Sequence, residues 1–445
     1  MKRIIILFLT IFFSILLTAQ EGVTGQLSLD KAIDLSIRRS PGQNIQRMEL
    51  EEARLQLKEA QLQHIPTIYA SGDLRRNLII PSTPVPAHLL NPDAVENETM
   101  YLKFNTKWNS SAGLNLQYDL FSPEKLFDTD EKEQELKIRE YDALISEQDL
   151  RASVAMAYAE CVLAMEQEKL LKNDVDYFAE LLKTSDELYK REKVSLVEKN
   201  DAHKAYNEAL VNLLEAEKIA QERKAELLYL MGRKITAENI SLLSPKEDIP
   251  ELLEKIEHLF PSTAPARRLE EMRQNEIVEL AGLHIKSASW KYAPTLSLNG
   301  YFGTNYYNKR LTLFDSNSWR GYSYIGLSVK IPITQSLQTS NEVARLRLRQ
   351  QIETENLRDI VNSKAKERLR EQSQLEVRRK SYLLNKENLV MSQQNMKAAQ
   401  LEFEKGYILQ QDLMNQQRTL QNARQSYLQS AYDIITSLLT LKKIR

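Results

Sequence analysis

What constrains this chain most is where glycine and proline are missing. No proline occurs from Glu124 to Ser244 and none from Ile333 to Arg445, and each stretch holds a single glycine, Gly232 and Gly406. Glycine and proline are the main helix breakers. Both stretches are instead rich in Glu, Lys, Gln, Arg, Leu and Ala, which lose little rotamer freedom in a helix. The pattern predicts long helices over about 124–191, 195–232, 335–403 and 409–441. An uninterrupted 68-residue run is about 100 Å long at ~1.5 Å per residue. Leu357, Val361, Ala365 and Leu369 recur every four positions, and Ile138, Tyr141 and Ile145 step by three and four. Such narrow apolar stripes on charged helices suit coiled-coil packing with one side in water.

The segments preceding these stretches have a different period. In SAGLNLQYDLF, Ser111 to Phe121, Leu114, Leu116, Tyr118 and Leu120 alternate with Gly113, Asn115, Gln117 and Asp119. In YIGLSVKIP, Tyr324 to Pro332, Leu327, Val329 and Ile331 alternate with Gly326, Ser328 and Lys330. Period-two alternation is a strand with one apolar and one polar face. Two more strands are expected, a weak one at 67–73 and a clear one at 295–303, with partners at 111–121 and 322–332. Tyr301, Phe302, Tyr306, Tyr307, Trp319, Tyr322 and Tyr324 crowd the second pair. That crowding fits an aromatic girdle at a membrane interface or the core of a small soluble sheet.

The chain also repeats itself. Ala53–Gly72 and Ala281–Gly300 match at seven of twenty positions, including the prolines Pro66 and Pro294. Each proline follows a helical pattern and precedes a strand, because the residue before proline is pushed to extended geometry. Each half then reads helix, strand, loop, strand, very long helix, turn, returning helix. The first repeat is placed at 21–248 and the second at 249–445, with Pro245, Pro250, Pro261 and Pro265 at the join. The loops are expected at Leu74–Trp108, where Pro81, Pro84 and Pro86 favour an extended path, and at Thr304–Gly321.

Residues 1–20 read as an export signal: Lys2 and Arg3 precede the apolar run Ile4–Leu17, and Thr18, Ala19 and Gln20 offer a cleavage zone. No Cys follows that run, which argues against a lipid-anchored N-terminus, and Cys161 stands alone, which excludes an intrachain disulfide framework. Losing Lys2 and Arg3 takes the formal net charge from −1 to −3, a balance that gives nucleic acid no electrostatic hold. After residue 20 no apolar run approaches the ~20 residues of a membrane helix. The mature chain is therefore soluble or spans a membrane by strands. The five histidines are scattered and no HExxH, P-loop or G-x-S-x-G motif occurs, so neither an enzyme nor a cofactor is expected. Asn97-Glu98-Thr99 matches a glycosylation sequon.

Taken in order, LSLDKAIDLSI, the two proline-to-strand junctions, GLNLQYDLF, GLSVKIPI and FEKGYILQQDLMNQQRTLQNAR (Phe403–Arg424) resemble the TolC-like outer-membrane efflux family over about residues 27–441. The resemblance implies a mainly α fold with a small membrane β-barrel. Four strands per chain would enter a trimeric twelve-stranded barrel, continued by an α-helical barrel tunnel. It implies a homotrimer set in outer-membrane lipid that works with a periplasmic adaptor and an inner-membrane pump. At the periplasmic tip it assigns Gly406 as the tip glycine, Phe403 as the tip aromatic, and Asp412 and Asn415 as aperture positions, with Glu198 and Asp201 in the first half. Tyr407, Tyr189 and Glu192 complete the hairpin tips, which are expected to meet the adaptor across Glu187–Val197 and Glu402–Asp412. Two positions depart from the family: Ile408 replaces a gate arginine and Glu192 a glycine, leaving Arg191 or Lys405 for the closing contacts. The remaining alternative is a soluble periplasmic coiled-coil scaffold or adaptor; two hairpins alternating with two strand pairs disfavour it. The cargo is not legible.

Overall fold

The computed structural model describes residues 26–90, 95, 99–258, 268–333 and 335–443. The export signal, Asn97 and Glu98 of the sequon, Pro261 and Pro265 lie outside them. In chain order the elements are α1 (Leu29–Arg39), α2 (Pro41–Leu62), β1 (Thr67–Arg76), β2 (Thr83–Pro86), β3 (Thr99–Leu102), β4 (Trp108–Phe121), α3 (Pro123–Leu126), α4 (Asp128–Lys190), α5 (Leu196–Leu230), α6 (Ala237–Leu242), α7 (Ile249–His258), α8 (Leu269–Trp290), β5 (Thr295–Asn308), β6 (Trp319–Lys330), α9 (Gln335–Glu404) and α10 (Gln410–Lys443). The order helix, two long strands, long helix, returning helix occurs twice. The chain divides into a helical unit, made of the segments up to Glu49, Glu140–Met272 and from Arg358 on, and a unit of Leu50–Arg139 and Arg273–Leu357 that carries the strands.

The core of the helical unit starts from α1, whose N-cap Ser28 accepts the Lys31 N–H and whose apolar spacing buries Leu29, Ala32 and Ile33. These pack with Val154–Leu163 of α4, Leu227 and Leu228 of α5, Leu252 and Ile256 of α7, and Ile435, Leu438 and Leu439 of α10. Leu27 ties this layer to the join between the halves through backbone bonds to Ser244 and Lys246, at 2.8 and 3.0 Å. The Tyr158 hydroxyl donates to the Leu27 carbonyl at 2.7 Å and also bonds the buried Glu247. Lys255 reaches the same carboxylate at 2.5 Å. Burial alone would raise the Glu247 pKa, but Lys255 and Tyr158 outweigh it and hold the carboxyl below its ordinary value. Cys161 is fully buried in this core and burial pushes its thiol up to about 12, so it packs rather than reacts.

In the other unit β1, β4, β5 and β6 form one antiparallel sheet in the order β1-β4-β5-β6. The register sets Ile68, Leu116, Gly300 and Ile325 in one row and Tyr118, Leu298 and Leu327 in another, so all four strands turn their apolar residues to one face. That face has no cover: Leu327 is 66% exposed and Leu114, Phe302, Ile325 and Val329 are exposed with it. Across the opposite face Asn115 donates to Ser71 at 2.7 Å, Ser297 to Asp119 at 2.7 Å and Asn299 to Ser328 at 3.0 Å. Among the described residues β1 and β6 each pair on one edge only.

The sheet differs from the sequence expectation in two respects. The long loop holds a short ribbon of β2 and β3, with Pro84 and Pro86 in it; proline is tolerated there because each strand of the pair has a free edge. And the aromatic residues do not form one girdle. Trp108, Tyr306 and Trp319 take the apolar parity at the loop end of the strands, while Phe121 and Trp290 meet edge-to-face at the helix end, at 6.3 Å. Tyr301, Tyr322 and Tyr324 fall on the polar face instead, because their register partners are Asn115, Gly303 and Tyr301. Among the described residues no helix is long and apolar enough to cross a membrane.

Candidate functional site

The helical unit ends in two hairpin turns, one between α4 and α5 and one between α9 and α10. Both outgoing helices close by the same device. The Glu192 N–H donates to the Tyr189 carbonyl at 2.9 Å and the Lys193 N–H to Leu188 at 2.9 Å; the Gly406 N–H donates to Phe403 at 2.9 Å and the Tyr407 N–H to Glu402 at 2.8 Å. This paired pattern needs a left-handed residue after the helix. Gly406 supplies it at φ +76°, and Glu192, a residue with a Cβ, is forced into it at φ +62°.

The returning helices also start alike, from different residues. Ser195 caps α5: its hydroxyl accepts the Glu198 N–H at 3.2 Å, and the Glu198 carboxylate accepts the Ser195 N–H at 2.7 Å. Ser195, through its backbone N–H first and its hydroxyl second, holds the Glu198 carboxyl below the usual range. At α10 the cap position is Leu409, which offers no oxygen; Asp412 alone reaches back to the Leu409 N–H, at 3.3 Å. Asp412 and Glu198 are thus equivalent third residues of the two returning helices, and Asn415 and Asp201 lie three positions further on. Asn415 accepts from Gln411 at 3.4 Å, and Asp201 is exposed.

The two turns are joined by a residue that the sequence did not single out. Gln410 is buried and donates to the Glu198 backbone carbonyl at 3.1 Å. Behind the turns Phe178 and Leu181 of α4, Ala205 and Ala209 of α5, Met396 and Ala399 of α9, and Leu413 and Leu420 of α10 form one buried cluster, against which Phe403 and Ile408 pack. The alanines let the helices approach closely. Further along the helices Asp174, only 3% exposed, accepts from Gln417 at 2.8 Å, Gln421 at 3.1 Å and Arg424 at 2.7 Å. Those three residues are spaced to lie on one face of α10.

Beyond this cluster the turns are apolar and open. Tyr407 is 77% and Val197 67% exposed, with Leu196 and Leu409 beside them. Arg191 and Lys405 are exposed. Tyr189 is covered by the Lys199 ammonium at 5.1 Å, which also pairs with Asp186 at 3.2 Å. A groove of ≈ 950 Å³ opens between the two turns, lined by Tyr177, Leu181, Leu188, Phe403, Gly406 and Ile408 among others. The Tyr177 hydroxyl is buried there without a hydrogen-bond partner. Pro66 and Pro294 each immediately precede the first strand residue, after the short turns that follow Leu62 and Trp290. Among the described residues no group of three His, Cys, Asp or Glu side chains is placed to hold a metal ion.

A four-stranded antiparallel sheet with a bare apolar face, in a chain that also forms long helical hairpins, matches the fold of TolC-like outer membrane channels. The chain is similar to three solved channels. They are the Campylobacter jejuni CmeC outer membrane channel (18% identity, TM-score 0.75, 94% of this chain and 85% of that chain), CusC (15%, 0.74, 96% and 95%) and the open state of the Neisseria gonorrhoeae MtrE outer membrane channel (18%, 0.69, 94% and 88%). Residues 33–233 match the family model described as outer membrane efflux protein. The fold is that of these outer membrane channels, and the matched residues are similar to the outer membrane efflux protein family. None of the curated proteins matches its sequence.

Proposed function

We propose that three copies of this chain assemble into a passive duct across the outer membrane and periplasm, which docks onto a periplasmic adaptor and an inner-membrane pump. The carrying observation is the sheet: four strands, an exposed apolar face and two edges that are open among the described residues. Lipid offers an open edge no hydrogen-bond partner, so membrane strands must close into a barrel. Four strands are half of the ~8 in the smallest bacterial barrels, and three chains reach twelve. The exposed Val361 and Leu369 of α9, apolar positions without cover in one chain, supply surface for neighbouring helices. Residues 1–20 are removed on export, and the repeats 21–248 and 249–445 each contribute one strand pair and one hairpin.

Cargo enters through the hairpin ends. Asp412 and Glu198 from three chains ring the aperture, with Asn415 and Asp201 behind them, and favour cations. The apolar turns with Tyr189, Glu192, Phe403, Gly406 and Tyr407 receive the adaptor's helical hairpin. The chain does no bond chemistry and needs no cofactor. Gel migration of the purified mature protein in detergent, with and without heating, tests the assembly: a heat-sensitive trimer is expected, and a stable detergent-independent monomer overturns the proposal. In planar bilayers Asp412→Ala is expected to lower cation selectivity; unchanged selectivity removes the ring.

A further inference from the structure

On the polar face of the sheet three tyrosines stand together beside two glycines, with Tyr69 in the same register row. Tyr301, Tyr322 and Tyr324 have ring centroids 5.9, 6.3 and 5.8 Å apart, and the 301–324 pair is stacked at 22°. They sit beside a glycine crossing. A Cβ built at Gly113 meets the Tyr301 ring at 2.7 Å, and one at Gly303 meets the Gly113 Cα at 2.6 Å. The Tyr301 ring therefore covers bare backbone, and its hydroxyl is buried with no hydrogen-bond partner. That accounts for Tyr301 as packing. It does not account for Tyr322 and Tyr324, each 51% exposed on a face that otherwise carries Ser, Asn, Gln and Gly with the charged Asp119, Arg320 and Lys330, and whose other aromatics are Tyr69 and Tyr307.

In a closed barrel the polar face is the lumen wall. We propose that Tyr322 and Tyr324 are specificity-determining residues of the duct: three copies of the pair form an aromatic collar on which planar aromatic cargo stacks in transit. Exposed rings backed by a third, immobile ring offer a preformed stacking surface, and an aromatic pair gains more than its area when offset or tilted. A cationic aromatic solute gains further from the ring faces. The proposal rests on the trimeric duct above.

The test is single-channel recording of the full mature protein in planar bilayers, with ethidium added on the loop side of the strands and tetraethylammonium as a non-aromatic cation. The native protein is expected to show ethidium blocks. The double variant Tyr322→Ala/Tyr324→Ala should shorten their residence about tenfold, two rings' worth of stacking, and shorten tetraethylammonium residence less, since that cation has the cation–π contact without the stacking. Tyr322→Phe/Tyr324→Phe should keep the blocks. Where the alanine pair does not assemble, Tyr324→Ser alone should shorten them about threefold, one ring's worth. Absence of ethidium blocks in the native channel, or equal residence in an assembled alanine or serine variant, overturns the collar. Absence of any current step in the native protein overturns the duct itself.

Discussion

The two hairpin turns are one device made from different residues. Both close with the same pair of backbone bonds and reopen with a carboxylate at the third position of the next helix. The first turn puts strain at its exit, in Glu192, and offsets it with a full capping box at its re-entry. The second relaxes its exit with Gly406 and then starts α10 from Leu409, which cannot cap. Duplicated backbones therefore keep the hydrogen-bond plan and redistribute the strain. The first turn is better fastened at α5, and the second is freer at α10, where the proposed aperture residue Asp412 lies.

The largest effect should come from separating the hairpins. Arg424→Ala leaves Asp174 buried with an uncompensated charge, at a cost of about 3–5 kcal/mol. Guanidinium unfolding should show the loss, and hydrogen exchange should rise on both hairpins; a change confined to α10 would mean that the hairpins are fastened elsewhere. Next come the exits. Gly406→Ala should cost about 1–2 kcal/mol and Glu192→Gly should gain about 1 kcal/mol, opposite signs at equivalent positions. Amide exchange of the turn peptides reads both, since about 1 kcal/mol is about a fivefold change in opening. Same-signed effects would show that the two left-handed residues are not equivalent.

Then the caps. Ser195→Ala should lose about 1 kcal/mol at the first turn, and Leu409→Ser should gain somewhat less at the second. The smallest effect is acid sensitivity. The Glu198 pKa is lowered in the folded protein from an ordinary 4.5, so its contribution is present above about that pH and lost as pH falls through the depressed folded value. Protection at the first turn should therefore decline on acidification, and Glu198→Gln should remove the decline.

Part of this was legible in local pattern. Missing Gly and Pro mark the long helices, and alternation marks the strands. The alternation fades beyond Gly303, where Asn305 and Asn308 make both parities polar, so β5 runs on to Asn308 past its visible end. At the turns the glycine, the aromatic and the carboxylates stand out in the sequence, and Ser195-Leu-Val-Glu198 carries a capping-box spacing. Gln410 and Asp174 carry no such signal. Asp174 meets Gln417 and Arg424, which lie 243 and 250 residues away, and nothing in a local window distinguishes it from any solvated helix carboxylate.

By itself the sequence determined the periods: 3.6 along the hairpins, two along the strands, and the repetition of the whole. Those follow from φ/ψ preference and side-chain direction within a few residues. Tertiary structure decided which side chains those periods bring together: the buried Asp174, the bond from Gln410 to the first turn, and the tyrosines on the polar rather than the apolar face. Each depends on register between segments far apart in the chain, and a one-residue shift in strand pairing exchanges the two faces of a strand.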